Sequence, residues 1–179
     1  MDIRCAVLAY PSISQKDYDW IQKTRALYDS YYELVRPHFT IVFRSITREA
    51  EFVQHIRQRA LAIRKFSFVL RCALVVEDVA GDMNQVFLVP DKGFSDIVKL
   101  HDKLYTGILA PELRLDIPFY PHITIGNSSD PLICKSLADE LNGQNFGIEG
   151  TVGNLDIVSI VAPDKRITEV KTIERIKLA

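Results

Sequence analysis

No stretch of this sequence is long and apolar enough to read as a membrane span. The opening apolar run, Ile3 to Tyr10, stops at Pro11 and is short even of a signal-peptide core. Cysteine is scarce. Cys5, Cys72 and Cys134 are an odd number and lie far apart, which argues against a disulfide framework or a zinc knuckle and for reduced thiols in a soluble, cytoplasmic protein. Charge of one sign is lacking as well: 22 Lys and Arg against 23 Asp and Glu leave a net charge of -1. No whole-molecule field therefore draws the chain to nucleic acid or to an anionic membrane, and any phosphate affinity must be local. The chain also has no Gly-x-x-x-x-Gly-Lys loop, no Gly-x-Gly-x-x-Gly fingerprint, no Gly-x-Ser-x-Gly elbow and no His-x-x-x-His or Cys-x-x-Cys pair. Nucleotide-driven, serine-hydrolase and structural-zinc chemistries lack their residues, and neither a metal nor another cofactor is expected.

What is present suffices for one sizeable core. With 47% hydrophobic residues in 179, a single domain over 1–179 is expected, with no obligate protein partner. Apolar runs that end at turn residues predict strands at Ile3–Tyr10, His38–Arg44, Phe66–Glu77, Asn84–Pro90, His122–Asn127, Phe146–Val161 and Ile167–Lys177. Helical spacing of apolar residues predicts helices from Ser14 to about Leu34, from Thr47 to near Lys65, from about Phe94 through Ile108, and from Ser129 or Asp130 to Asn142-Gly143. Gly81-Asp82 reads as a turn between halves.

The elements come in the same order twice: strand, helix, Pro-His-x-Thr strand, helix, long strand. Tyr10 to His38 is 28 residues and Pro90 to His122 is 32, so the halves match within a short loop insertion. The expected architecture is α+β and bilobal, with two small, largely antiparallel sheets, helices on the outside and a central cleft. The lobe-forming repeats are about 1–78 and 82–179.

Arg36-Pro37-His38-Phe39-Thr40-Ile41-Val42 and Tyr120-Pro121-His122-Ile123-Thr124-Ile125-Gly126 are near copies, 84 residues apart. Alternate side chains of a strand share a face, so each His and its Thr point one way while Phe39, Ile41, Ile123 and Ile125 turn to an apolar back. Two imidazoles across one cleft suit phosphodiester cleavage, in which one group takes a proton from the attacking oxygen and another gives one to the leaving oxygen. His titrates near neutrality, so a neutral and a protonated copy can coexist. The Thr40 and Thr124 hydroxyls can donate to non-bridging phosphate oxygens.

At these two motifs the sequence resembles the two-histidine phosphoesterases, which include the bacterial 2′-5′ RNA ligase-like proteins and the cyclic phosphodiesterases. The prolines before both histidines and the stretch Leu100-His101-Asp102-Lys103-Leu104-Tyr105-Thr106-Gly107 are similar to the small bacterial branch. The resemblance spans essentially the whole chain. It implies that His38, Thr40, His122 and Thr124 bind and cleave a phosphodiester, cyclic (2′,3′-type) or 2′-5′, of a nucleotide or RNA end. Some ligase-like members carry an arginine after the second motif, where this chain has Gly126-Asn127-Ser128. By strand parity Arg36 and Arg44 are the first candidates to bind substrate in its place, with Tyr120 their equivalent on the other side.

The competing reading is a non-catalytic module that binds a phosphate or RNA end in the same cleft; a dinuclear metal centre would need carboxylates that neither motif strand contains. Of the remaining polar residues, His55 is expected to be solvent-exposed, His101 structural and Tyr105 a packing residue. The clusters Arg57/Arg59/Arg64/Lys65 and Lys171/Arg175/Lys177 read as solvated faces.

Overall fold

The computed structural model describes residues 3–77, 83–163 and 166–179; the turn expected at Gly81-Asp82 lies outside them. Nine strands and four helices are described: β1 (Ile3–Ala9), β2 (Ser12–Ile13), α1 (Gln15–Tyr28), β3 (Phe39–Ser45), α2 (Glu49–Ala60), β4 (Phe66–Glu77), β5 (Asn84–Lys92), α3 (Phe94–Leu104), β6 (Ile123–Ser128), α4 (Pro131–Gly143), β7 (Ile148–Val152), β8 (Asn154–Val161) and β9 (Glu169–Lys177). α3 stops at Leu104 and not at Ile108, and a separate 3-10 helix, Gly107–Glu112, follows it.

The strands form two antiparallel sheets, ordered β3-β1-β8-β9 and β2-β7-β4-β5-β6. This is the expected α+β architecture of two antiparallel sheets, but the sheets do not divide at the boundary between 1–78 and 82–179. β8 and β9, from the end of the chain, pair onto β1, while β4, from the first half, pairs with β5 and β7. In each sheet a motif strand sits at the edge, the strand that opens its half lies next to it, and the third strand comes from the other half: β3-β1-β8 in one, β6-β5-β4 in the other. The exchange crosses the chain between the sheets and makes one core of them. Phe39 of β3 meets Phe68 of β4 edge to face with centroids 5.0 Å apart, and a single cluster of buried side chains runs from Val7 and Ile41 to Leu88 and Ile125.

Local signals account for the element ends. The Ser14 hydroxyl accepts from the Asp17 amide and Asp130 from the Leu132 amide, each satisfying a free N–H of its helix. α1 stops at Tyr28 and not near Leu34, because the Asp29 carboxylate accepts from the Tyr31 amide and the chain goes on in turns. Thr47 does not cap α2; Arg48 holds that position, and the Thr47 hydroxyl donates to Glu112 instead. Gly93 opens α3 at φ 84°, where a Cβ would come within 2.8 Å of both Phe68 Cβ and Ser67 O. Only glycine fits there.

Candidate active site

Both motifs are built alike in three dimensions. Pro37 and Pro121 are buried, and the histidines that follow them stand half-buried at the entrance to β3 and β6. His38 Nδ1 lies 2.7 Å from the Arg36 carbonyl and His122 Nδ1 lies 2.6 Å from the Tyr120 carbonyl, in each case the residue before the proline. A carbonyl only accepts, so each Nδ1 carries the proton and donates it. In the neutral ring Nε2 is then left with its lone pair, free to take a proton.

Two residues on, Leu8 pairs with Thr40 and Phe87 with Thr124, and immediately afterwards each motif strand takes one extra residue. Val7 pairs with Val42 and Val86 with Gly126, so Ile41 and Ile125 are both bulged. The bulge breaks the alternation assumed from sequence. Ile41 with Val42, and Ile125 with Gly126, are buried in succession, and Phe43 and Asn127 turn to the cleft. Gly126 is required at its place: a Cβ there would lie 2.8 Å from Leu137 Cδ2 and 2.9 Å from Tyr28 Cβ.

A cleft of about 1510 Å³ runs along these strands. His38, Thr40 and Thr124 line it, with Arg44, Gln85 and Asn127 among its other polar walls. Arg44 lines it too, although the bulge removes the strand parity on which that expectation rested, and it makes no ion pair with the described residues. Arg36 and Tyr120 do not line it. The Arg36 guanidinium covers the Tyr10 ring at 4.4 Å, and Tyr120 serves His122 through its backbone carbonyl. His122 is not among the cleft-lining residues; its ring lies flat against Phe87, centroids 3.5 Å apart at 10°.

Desolvation is the chief reason that both imidazoles are pushed down from their ordinary 6.5 to about 4. For His38 the Arg36 carbonyl and Asp29 act in the opposite direction, while Arg25 adds to the fall; for His122 the Tyr120 carbonyl opposes it and a charge on His38 adds to it. A proton on His38 disfavours a second on His122, so the rings titrate as a coupled pair in which a singly protonated state is favoured over a doubly protonated one.

Other polar residues named from the sequence brace the site or lie near it, some in roles other than those expected. His101 and Tyr105 line the cleft from α3, and both bind the β3 backbone: His101 Nδ1 is 2.8 Å from the Ile41 carbonyl, and the Tyr105 hydroxyl accepts from the Phe43 amide at 3.0 Å. His101 is structural as expected, while Tyr105 does more than pack. His55 corrects its expectation. It is buried, with Nε2 3.0 Å from the Leu104 carbonyl, because α2 turns that side toward α3 and not to solvent. Arg175 is likewise no simple solvated residue, since it binds the fully buried Asp156 through two nitrogens at 2.9 and 2.7 Å. Arg57 pairs with Glu174 at 2.7 Å. Asn127, where the extra arginine was sought, donates to Asp29, which is ion-paired with Arg25.

Comparison with known proteins bears on the family and the fold. Residues 11–164 match the model of the 2′-5′ RNA ligase superfamily. A protein of Geobacillus sp. (strain WCH70) that carries a provisional phosphoesterase name is 27% identical over 155 residues, covering 81% of this chain and 82% of that one. Among solved structures, the protein TT0787 of Thermus thermophilus superposes with a TM-score of 0.62 at 16% identity, over 98% of this chain and 97% of that one. The LigT protein of E. coli, crystallised with 3′-AMP, superposes with a TM-score of 0.56 at 16% identity, over 99% of both chains. At such identities the likeness speaks for the fold. Other LigT crystals are complexes with ATP, NADP+ and phosphate.

Proposed function

Because this chain belongs to the 2′-5′ RNA ligase superfamily, a family of phosphoesterases, we propose that it hydrolyses a phosphodiester, cyclic (2′,3′-type) or 2′-5′, at a nucleotide or RNA end, by acid–base catalysis between His38 and His122. The observation that carries this reading is the matched pair of imidazoles. Each has Nδ1 tied to the carbonyl two residues back, which leaves Nε2 to exchange protons with a substrate. A core requirement would not repeat that arrangement at the edges of two sheets and leave both rings half-exposed.

The chemistry follows from the parts. Water attacks phosphorus, an O–P bond forms, and the bond to the departing ribose oxygen breaks. One imidazole takes the water proton as the other supplies a proton to the leaving oxygen. Thr40 and Thr124, on the cleft wall beside the rings, donate to the non-bridging oxygens, whose negative charge grows in the transition state. Arg44, a cation lining the same cleft without an ion-pair partner among the described residues, is the candidate to hold the anion. That LigT binds 3′-AMP, ATP and NADP+ supports a nucleotide-like substrate here.

The test is turnover of 2′,3′-cyclic nucleotides in excess chelator by the wild type, His38→Ala and His122→Ala. Each substitution should cost on the order of 10²–10⁴ in kcat. Equal turnover in all three proteins, or strict dependence on a divalent metal, would overturn the reading. Tight nucleotide binding without turnover would leave a phosphate-binding module in its place.

A further inference from the structure

A phosphodiester carries two substituents, and the cleft has two arms, with Thr40 between them. One arm lies beyond the free edge of β3, where His101 and Tyr105 bind the backbone of the strand and Arg44 and Phe119 complete the wall. The other lies across β1 and β8, on the opposite side of β3. Residues directly opposite one another on neighbouring strands share a face of the sheet. Thr40 stands opposite Leu8, and Leu8, Ala6 and Ile160 line the cleft while themselves buried. The floor next to Thr40 is therefore aliphatic.

The walls of this arm match its floor. Val35, from the segment that leads into the first motif, and Ile167 and Val170, at the start of β9, pack on the floor and line the same space. Polar side chains stand at the rim, among them Tyr31, Tyr32, Glu33 and Arg166, all at least partly exposed. Deeper in, Arg25 and Asp29 are committed to each other, to the Val35 carbonyl and to Asn127. Asp156, next in the row after Leu8, is bound by Arg175 and does not line the cleft. The second sheet has no counterpart: opposite Thr124 stands Phe87, which lies under the His122 ring, and the β5 side chain that meets the cleft is Gln85.

This lining selects its occupant. A nucleobase or sugar set over Ala6, Leu8 and Ile160 would give up its hydrogen bonds to water and find none in their place. An alkyl chain gives up none, and each methylene is better off out of water. The size of the cleft agrees, because its 1510 Å³ exceeds the roughly 300–1,000 Å³ usual for small-ligand sites. A 2′,3′-cyclic nucleotide, whose two ester oxygens belong to one ribose, would leave one arm empty.

We propose that the substrate is an open phosphodiester joining a nucleoside to an aliphatic alcohol, with the phosphate at Thr40 and the alkyl chain in the arm over β1 and β8. This rests on the phosphodiester hydrolysis proposed above. A lone pair of water forms the new O–P bond as the ribose oxygen departs with the old bonding pair. The proton lost by water passes to one imidazole, the proton gained by the ribose oxygen comes from the other, and exchange with solvent restores the pair. The products are a nucleoside and an alkyl monophosphate.

The test is a series of 2′-deoxyadenosine 3′-phosphate esters of methanol, butanol and hexanol, run beside 2′,3′-cyclic AMP, with release of the nucleoside as the readout. The missing 2′-hydroxyl prevents internal attack, and the leaving oxygen is the same throughout, so chain length acts only through binding. kcat/KM should rise about fourfold per methylene, through KM and with kcat little changed. Ile167→Asp and, at the exposed rim, Leu34→Asp remove no reacting group. Each should flatten the rise to less than about twofold per methylene and leave the methyl ester within about twofold of the wild type. Esters that are inert, or whose kcat/KM ignores chain length, while the cyclic nucleotide is turned over would overturn the aliphatic arm and spare the hydrolysis. A rise that survives both substitutions would overturn the arm as well. No turnover of any ester or of the cyclic nucleotide would instead overturn the functional reading beneath it.

Discussion

His101, on α3, donates its Nδ1 proton to the carbonyl of Ile41, the bulged residue in the strand that carries His38 and Thr40. The ring is buried and stacked on Phe119, centroids 3.7 Å apart. β3 is an edge strand, and the side of it that no strand covers is occupied by side chains: His101 at the Ile41 carbonyl, Tyr105 at the Phe43 amide and Glu112 at Ser45, Ile46 and Thr47. The arrangement fixes the bulge and closes the edge against pairing with another chain. His101→Ala should lose about 1–3 kcal/mol of stability, since it leaves a buried carbonyl unpaired, and should lower kcat more than it raises KM because Thr40 is displaced. Tyr105→Phe, which removes only the acceptor for the Phe43 amide, should cost about 1 kcal/mol. Urea unfolding and steady-state kinetics on the same preparations check both; unchanged stability in His101→Ala would refute the clamp.

The end of α1 is fastened to the second motif strand by a buried ion pair. Arg25 and Asp29 bind at 2.7 Å with both side chains 2% exposed, Arg25 also donates to the Val35 carbonyl, and Asp29 accepts from Asn127. Asp29→Ala leaves the guanidinium buried without its partner and should cost roughly 3–5 kcal/mol. Asn127→Ala, which removes one hydrogen bond to a charged group, should cost about 1.5–3 kcal/mol. Denaturant midpoints that rank the two variants the other way round would show that the ion pair is not what holds this junction.

How far these contacts were legible in the sequence depended on whether their cause was local. The duplicated Pro-His-x-Thr strands, the Ser14 and Asp130 caps and the span Phe66–Glu77 follow from neighbours in the chain, and all appear where expected to within a residue or so. The bulges at Ile41 and Ile125 depend on register against another strand, which alternation alone does not contain. His55 looked exposed because its burial is decided by α3, 49 residues away at Leu104. The exchange of β4 and β8 between sheets is a choice among topologies that the same run of elements permits. Around the cleft, His38, Thr40 and Thr124 stand out by their repetition and His101 reads as structural, whereas Phe87 and Tyr10 belong to no motif and come into view only once the fold places them beside the histidines.

Stability should fall on the acid side of neutrality. His38 and His122 have their ordinary 6.5 lowered to about 4 in the folded protein, so between these values the unfolded chain binds protons that the folded chain refuses. Stability then declines as pH falls from about 6.5 to about 4 and stops declining from this cause below that, where both states are protonated. His101, also lowered by burial, adds to the slope. A series of melting temperatures across this window should show the decline, and His38→Gln/His122→Gln should flatten it in part. The same slope in wild type and double variant would mean that these rings are not its source.

Activity should follow a different course with pH, because it needs one ring neutral and the other charged. In the free protein both rings lie near 4 and repel each other's protons, so the singly protonated form is most abundant on the acid side of neutrality and gives way to the doubly neutral form above it. Since kcat/KM reports the free enzyme, its bell should peak below about pH 6. Once the phosphodiester anion is bound between the rings it favours the charged form of one of them, which lifts the upper limb and carries the kcat bell to higher pH than the kcat/KM bell. Initial rates from about pH 4 to about pH 9 at saturating and at limiting substrate separate the two profiles. Coincident bells, or a kcat/KM optimum above neutrality, would mean that substrate does not contact the histidine pair, and acid–base cleavage between them would have to be given up.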